Sequence, residues 1–236
     1  MCNSGVSLSP IVNGQVHHFA ARGLYNGLVL LGDRESGSYW DHITGECVHG
    51  PLEGERLEVF PLLIMNAAQA LSSYPHAQVA VAKQSVKQKL MSRIFEYSRN
   101  SEHGFMPRYF LPTLGEEDTR RPRMERGLGV WIDSTRRFYP LEQLRAHRGA
   151  LIDELAGRRL LVYLDPISKV PAALYTEATR STWVGKALYL NTGEILRSGS
   201  LYDRRGQELT IERPMVLVTR WYGFAFTFPS CEIYGD

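Results

Sequence analysis

The alternation of apolar and polar positions along this chain predicts short strands joined by tight turns, with a few helical intervals. Val6-Ser7-Leu8-Ser9 alternates, and Val12-Asn13-Gly14-Gln15-Val16 places Asn-Gly between two short apolar ends. Asn and Gly accept the positive φ of a two-residue turn, so a hairpin is expected, its return strand running on through His17-His18-Phe19. A second turn at Tyr25-Asn26-Gly27 precedes the apolar run Leu28-Val29-Leu30-Leu31, the pattern of a buried strand. Polar turns follow at Asp33-Arg34-Glu35-Ser36-Gly37 and at Thr44-Gly45-Glu46. They frame Ser38-Tyr39-Trp40 and the short strand Cys47-Val48-His49. Arg56 to Phe60 predicts a strand closed by Pro61.

Helical spacing appears from Leu63 to Ser72 and from Gln84 to Tyr97, the second with Val86, Leu90, Ile94 and Phe95 on one face. Gln78 to Ala82 between them predicts a strand. Residues 100–126 carry three prolines and the charged run Glu116 to Arg123, which predicts an irregular surface connector. Beyond it, strands are expected at Leu128–Ile132, Arg137–Tyr139, Leu160–Leu164, Ala172–Tyr175 and Ala187–Leu190. A helix is expected to open at Pro140-Leu141.

Order also recurs. Thr44-Gly45-Glu46 is followed by Gly50, Leu52, Gly54, Leu57 and Pro61. Thr192-Gly193-Glu194 is followed by Gly199, Leu201, Gly206, Leu209 and Pro214. Each series then runs to an aromatic-Pro pair, Tyr74-Pro75 and Phe228-Pro229. This predicts an α+β, β-rich fold of two degenerate repeats of short antiparallel strands. The expected boundaries are 1–99, a connector 100–126, and 127–236, packed as one unit.

Composition narrows the function classes. Residues 1–82 hold three Arg and no Lys against seven acids, net −4. Residues 83–126 hold ten basic residues against six acids, net +4, and the whole chain carries +2. That is too weak an asymmetry for a nucleic-acid binder. The apolar runs are too short to span a bilayer. The first residues lack the basic and apolar regions of a signal peptide, so as written the chain is expected to be cytoplasmic. Three cysteines, Cys2, Cys47 and Cys231, allow one disulfide and a thiol, or three thiols.

Three kinds of site are candidates. Cys47 and His49, two apart on a strand, should share a face; with His42 and Cys2 they would make a thiolate and imidazole set for zinc or copper. Cys2 is also a candidate catalytic thiol, with His42 or His49 as base and Asp33 or Asp41 orienting it. Asp33, Arg34 and Trp40, beside Tyr25 and Asn26, are candidates for a small-ligand pocket. Plainer readings stand beside these. Cys47 is a small buried hydrophobe, Asp33 to Glu35 a salt-bridged turn, Trp40 a core anchor, and Arg120 to Arg126 solvated surface. Trp221, Tyr222, Phe224, Phe226 and Phe228 read as core.

Several ordered segments carry a family resemblance. Cys2-Asn3-Ser4-Gly5, Arg22-Gly23-Leu24-Tyr25-Asn26-Gly27-Leu28, Asp33 to Trp40, and Thr44-Gly45-Glu46 with Gly50 and Gly54 resemble the domain of unknown function 3179 family. Leu128-Gly129-Val130, Phe138-Tyr139-Pro140-Leu141 and Trp221 to Phe226 extend the resemblance through most of the chain. It implies a bacterial or archaeal protein and carries over no catalytic residue. The family's C-x-x-C motif would lose its first Cys here, as if the chain were N-terminally shortened. Family members often carry an export signal or membrane anchor.

Overall fold

The computed structural model describes residues 5–78, 85–92 and 104–236. Two Asn-Gly turns organise its first part. Asn13 and Gly14 sit at φ 50° and 79°, and Asn26 and Gly27 at 52° and 70°, the left-handed pair that a tight hairpin needs. The first turn joins β2 (Ile11–Val12) to β3 (Gln15–Val16), the second β4 (Phe19–Tyr25) to β5 (Leu28–Asp33). β6 (Tyr39–Asp41) and β7 (Cys47–His49) follow, so β4-β5-β6-β7 is an antiparallel sheet in chain order. β1 (Ser7–Leu8) pairs with β8 (Val59–Phe60). The strand expected over 56–60 is shorter because Leu57 turns inward, buried, with its N–H on the Gly45 carbonyl.

α1 (Ala67–Ser73) begins later than its apolar spacing predicts. The Asn66 side chain accepts from the Gln69 N–H at 2.9 Å, and the Gln69 side chain accepts from the Asn66 N–H at 3.1 Å. This capping box fixes the start and leaves Leu62, Leu63 and Ile64 exposed in the extended lead. Within the interval expected to be helical over 84–97, α2 spans 86–92, with Val86 and Leu90 exposed. Residues 84 and 93–97, and the strand expected over 78–82 apart from Gln78, lie outside the described residues.

The later part is also strand-rich. β9 (Arg126–Ile132) turns through Asp133, at φ 50°, into β10 (Thr135–Pro140) and then α3 (Leu141–Ala146). β11 (Ala150–Leu155), β12 (Arg158–Leu164) and β13 (Pro171–Tyr175) form one antiparallel sheet. β14 (Ser181–Val184), β15 (Ala187–Leu190), β16 (Ile195–Arg197), β17 (Ser200–Tyr202) and β18 (Glu208–Leu209) form another. β19 (Met215–Arg220) pairs with β9, leads into α4 (Trp221–Thr227), and is followed by β20 (Glu232–Ile233). The β10–β20 pair is parallel, the exception among the otherwise antiparallel pairs of the described residues.

β12 shows why an unbroken apolar run becomes a strand here. Leu160 and Val162 face one hydrophobic cluster with Leu128, Tyr139 and Leu144, whereas Leu161 and Tyr163 face a second with Leu174, Leu188 and Leu196. A strand buried on both faces needs apolar residues at every position. A third cluster forms around α4, where Trp221, Tyr222 and Phe224 pack with Phe138, Leu217 and Ile233. Gly129 admits α4: a Cβ there would lie 2.1 Å from the Phe224 ring. Leu28 and Ile43 from the first part enter this same cluster.

The connector is more ordered than its composition suggests. It forms a 3-10 helix over Arg108–Thr113, and Met106 and Phe110 bury against α4. Its charges pair internally, Arg120 with Asp118, Arg121 with Glu125, and Arg123 with Glu117. Such pairs fix the connector's own path more by geometry than by net energy, while the Trp221 indole N–H, donating to the Asp118 carbonyl at 2.8 Å, ties it to α4. The expected solvated basic stretch is therefore mostly a set of neutralised arginines.

Candidate functional site

Asp33 ends β5 with its side chain fully buried. Its Oδ1 accepts from the Ser36 N–H at 2.6 Å; its Oδ2 accepts from Ser36 Oγ at 2.6 Å and from Trp40 Nε1 at 2.9 Å. Trp40 is completely buried, so this bond anchors the polar turn to the small core of Val12, Trp40, Cys47 and Leu57. Burial alone would raise the Asp33 pKa. The Ser36 bonds, then Trp40 and His17, outweigh it and hold the carboxyl at about 2.

β4 runs antiparallel to β5 and pairs Phe19 with Asp33, which brings His17 and His18 beside the polar turn. His17 is buried, and its Nδ1 lies 3.4 Å from Asp33 Oδ1 without a hydrogen-bond partner. His18 binds Glu35 twice: its N–H donates to Oε2 at 2.7 Å and its ring Nδ1 lies 2.8 Å from Oε1. These bonds, the backbone one first, pull the Glu35 pKa below its ordinary value. His17, Asp33 and Glu35 each offer one ligand atom, all within 4.8 Å of one another. Among the described residues no other such set of His, Cys, Asp or Glu occurs.

The sequence-predicted set is arranged differently. A register shift in the β6–β7 pair puts Tyr39 opposite His49 but Trp40 opposite Cys47. Because Tyr39 and Trp40 point to opposite faces, the irregularity separates two residues that a regular strand would hold on one face. Cys47 is buried with Trp40, and its Sγ lies 3.6 Å from the His49 carbonyl. His49 is exposed and stacks on Tyr39, ring centroids 6.2 Å apart. His42 sits half-buried in the turn held by Asp41, whose Oδ1 accepts from the N–H groups of Ile43 and Thr44. His42, Cys47 and His49 do not meet as a ligand set, and Cys2 lies outside the described residues.

Both described cysteines are buried free thiols. Burial raises the Cys47 pKa and pushes Cys231 up to about 11, so neither is an activated thiolate. The candidate ligand residues Tyr25 and Asn26 lie at the β4–β5 turn. Asn26 Oδ1 accepts from the Gly115 N–H at 3.1 Å and its own N–H donates to the Thr113 carbonyl, docking the β4–β5 turn on the connector; Tyr25 is exposed. Arg34 is exposed and its N–H donates to the His18 carbonyl. The two acids of the expected salt-bridged turn pair with imidazoles, Asp33 with His17 and Glu35 with His18, beside the Ser36 and Trp40 bonds.

The whole-chain comparison agrees with the motif order. A family model described as "Protein of unknown function (DUF3179)" matches residues 1–230. The chain belongs to this family. No curated protein and no solved structure matches it. Across this DUF3179 chain, no helix among the described residues is long and apolar enough to cross a membrane. His17 and Glu35 are absent from the sequence-predicted sites. The Asn26-Gly27 hairpin returns β4 along β5, but the shift in register between Ala21 and Gly23, which the residue pattern does not announce, decides that Phe19 stands opposite Asp33.

Proposed function

We propose that this chain is a binding domain whose site is the buried Asp33 turn, with His17, Asp33 and Glu35 taking a divalent metal such as zinc. The observation that carries the reading is His17 Nδ1, buried and without a hydrogen bond, 3.4 Å from a carboxylate oxygen. Two ligands of one tetrahedral zinc, each about 2.0–2.2 Å from the ion, stand about 3.4 Å apart. Glu35 would turn inward, giving up its bonds to His18. One nitrogen and two oxygen donors suit zinc better than copper(I), which favours thiolates. Trp40 and Ser36 orient Asp33 as outer partners of a metal ligand do.

The test is metal content after dialysis against zinc and then a weak chelator. The expected result is about one zinc per chain, with affinity lowered at least about tenfold by His17→Ala. Absence of stoichiometric zinc, or equal retention by His17→Ala, would leave the turn as a purely structural element of a non-catalytic domain.

We also propose that the two parts of the chain are related by duplication. The β6–β7 and β15–β16 connections both carry Thr-Gly-Glu between antiparallel neighbours. α1 and α4 both end on an aromatic residue before proline, with φ/ψ of −131°/77° at Tyr74 and −128°/78° at Phe228.

A further inference from the structure

The four arginines between residues 120 and 126 divide three to one. Arg120, Arg121 and Arg123 are paired with Asp118, Glu125 and Glu117. Arg126, at the start of β9, is half-buried and makes no side-chain hydrogen bond or ion pair among the described residues. Arg126 lines a cavity of about 680 Å³, within the range of small-molecule sites. Met106, Leu111, Met124 and Leu141 supply apolar wall, and Glu142 and Arg145 stand exposed at the rim. Glu125 also lines it, but its carboxylate is engaged by Arg121 at 2.7 Å through both oxygens. A cation this buried without a counter-ion costs free energy that an incoming anion would recover. Burial with no compensating acid correspondingly pulls the Arg126 pKa below the ordinary arginine range.

We propose that this cavity binds a small amphiphilic anion, with the carboxylate or phosphate head on Arg126 and the hydrocarbon body against Met106, Met124 and Leu141. Arg presents a planar fork of donors matched to either head group. The site is separate from the Asp33 turn, and neither proposal depends on the other.

Titration calorimetry of the full chain with octanoate, octyl phosphate, 1-octanol and octylamine tests the idea. The expected result is saturable one-to-one binding of octanoate or octyl phosphate, with octanol and octylamine at least about tenfold weaker. Whichever anion binds more tightly identifies the head group. Shortening the better anion to six carbons is expected to weaken it about threefold to fourfold per methylene. Arg126→Gln should lose about ten- to a hundredfold in anion affinity and leave octanol unchanged; Arg126→Lys should keep part of the preference. Far-UV circular dichroism confirms that each variant is folded. Should Arg126→Gln fail to fold, the Lys variant and the octylamine control still decide. Failure of both anions to bind at millimolar concentration overturns the proposal. So does octylamine binding as tightly as octanoate, or a folded Arg126→Gln with unaltered anion affinity.

Discussion

Asp33 and Asp165 both stand at the end of a strand, both are buried, and both close the turn that follows. Asp165 Oδ1 accepts from the N–H groups of Ile167 and Ser168, from Ser168 Oγ, and from Gln69 Nε2 on α1 at 3.1 Å. Asp33 spreads its bonds over both oxygens, to Ser36 and to the Trp40 indole. The residue that approaches from elsewhere also differs. Asp165 receives a neutral amide, which neither titrates nor ligates strongly. Asp33 faces an imidazole, with a second carboxylate close by. The same local device closes a turn in both places, and the Asp33 turn alone of the two sets a histidine and a second carboxylate beside it.

Variants can break this comparison, the largest effect first. Asp33→Ala strands the fully buried Trp40 Nε1 and the Ser36 donors, and should cost about 3–4 kcal/mol in urea unfolding. Asp165→Ala strands donors in a turn nearer solvent and should cost about 2–3 kcal/mol. An equal or larger loss at Asp165 would invert the ranking.

The next effect is on pH dependence. Folding lowers the Asp33 pKa from 3.8 to about 2. A depressed carboxyl stabilises the fold above its unfolded pKa, and that stability disappears as pH falls through the folded value. About 2 kcal/mol should therefore be present above pH 4 and vanish between about pH 4 and pH 2. Asp33→Asn should lack this component; unfolding midpoints for the two proteins that stay parallel on acidification would contradict it.

Trp40→Phe should cost about 1–2 kcal/mol, and a double-mutant cycle with Asp33→Asn should show coupling on the order of 1 kcal/mol. Additive losses would mean that the indole contact contributes only packing. Smallest, Ser36→Ala and Ser168→Ala should each cost about 0.5–1.5 kcal/mol, similar to each other because both hydroxyls close the same kind of turn.

Much of the local structure was legible beforehand. Asn13-Gly14 and Asn26-Gly27 announced their hairpins because left-handed φ is a property of the residue pair. Leu160 to Leu164 announced a buried strand, and Trp221 to Phe228 announced core. The polar turn at Asp33 and the anchoring role of Trp40 were likewise readable. The expected Cys47 and His49 pairing differs in the structure for one reason. The two-residue alternation that put Cys47 and His49 on one face holds only in a regular ladder, and the β6–β7 pair is irregular there.

The sequence by itself determined the turns, the strand-rich pattern and the family, since each rests on short-range conformational preference or ordered motifs. Tertiary structure decided which side chains meet. It placed His17 on Asp33 across a hairpin, buried Met106 and Phe110 of a polar connector under α4, and left Arg126 without an ion pair among the described residues. These outcomes depend on strand register and on packing between residues far apart in the chain, which no local spacing encodes.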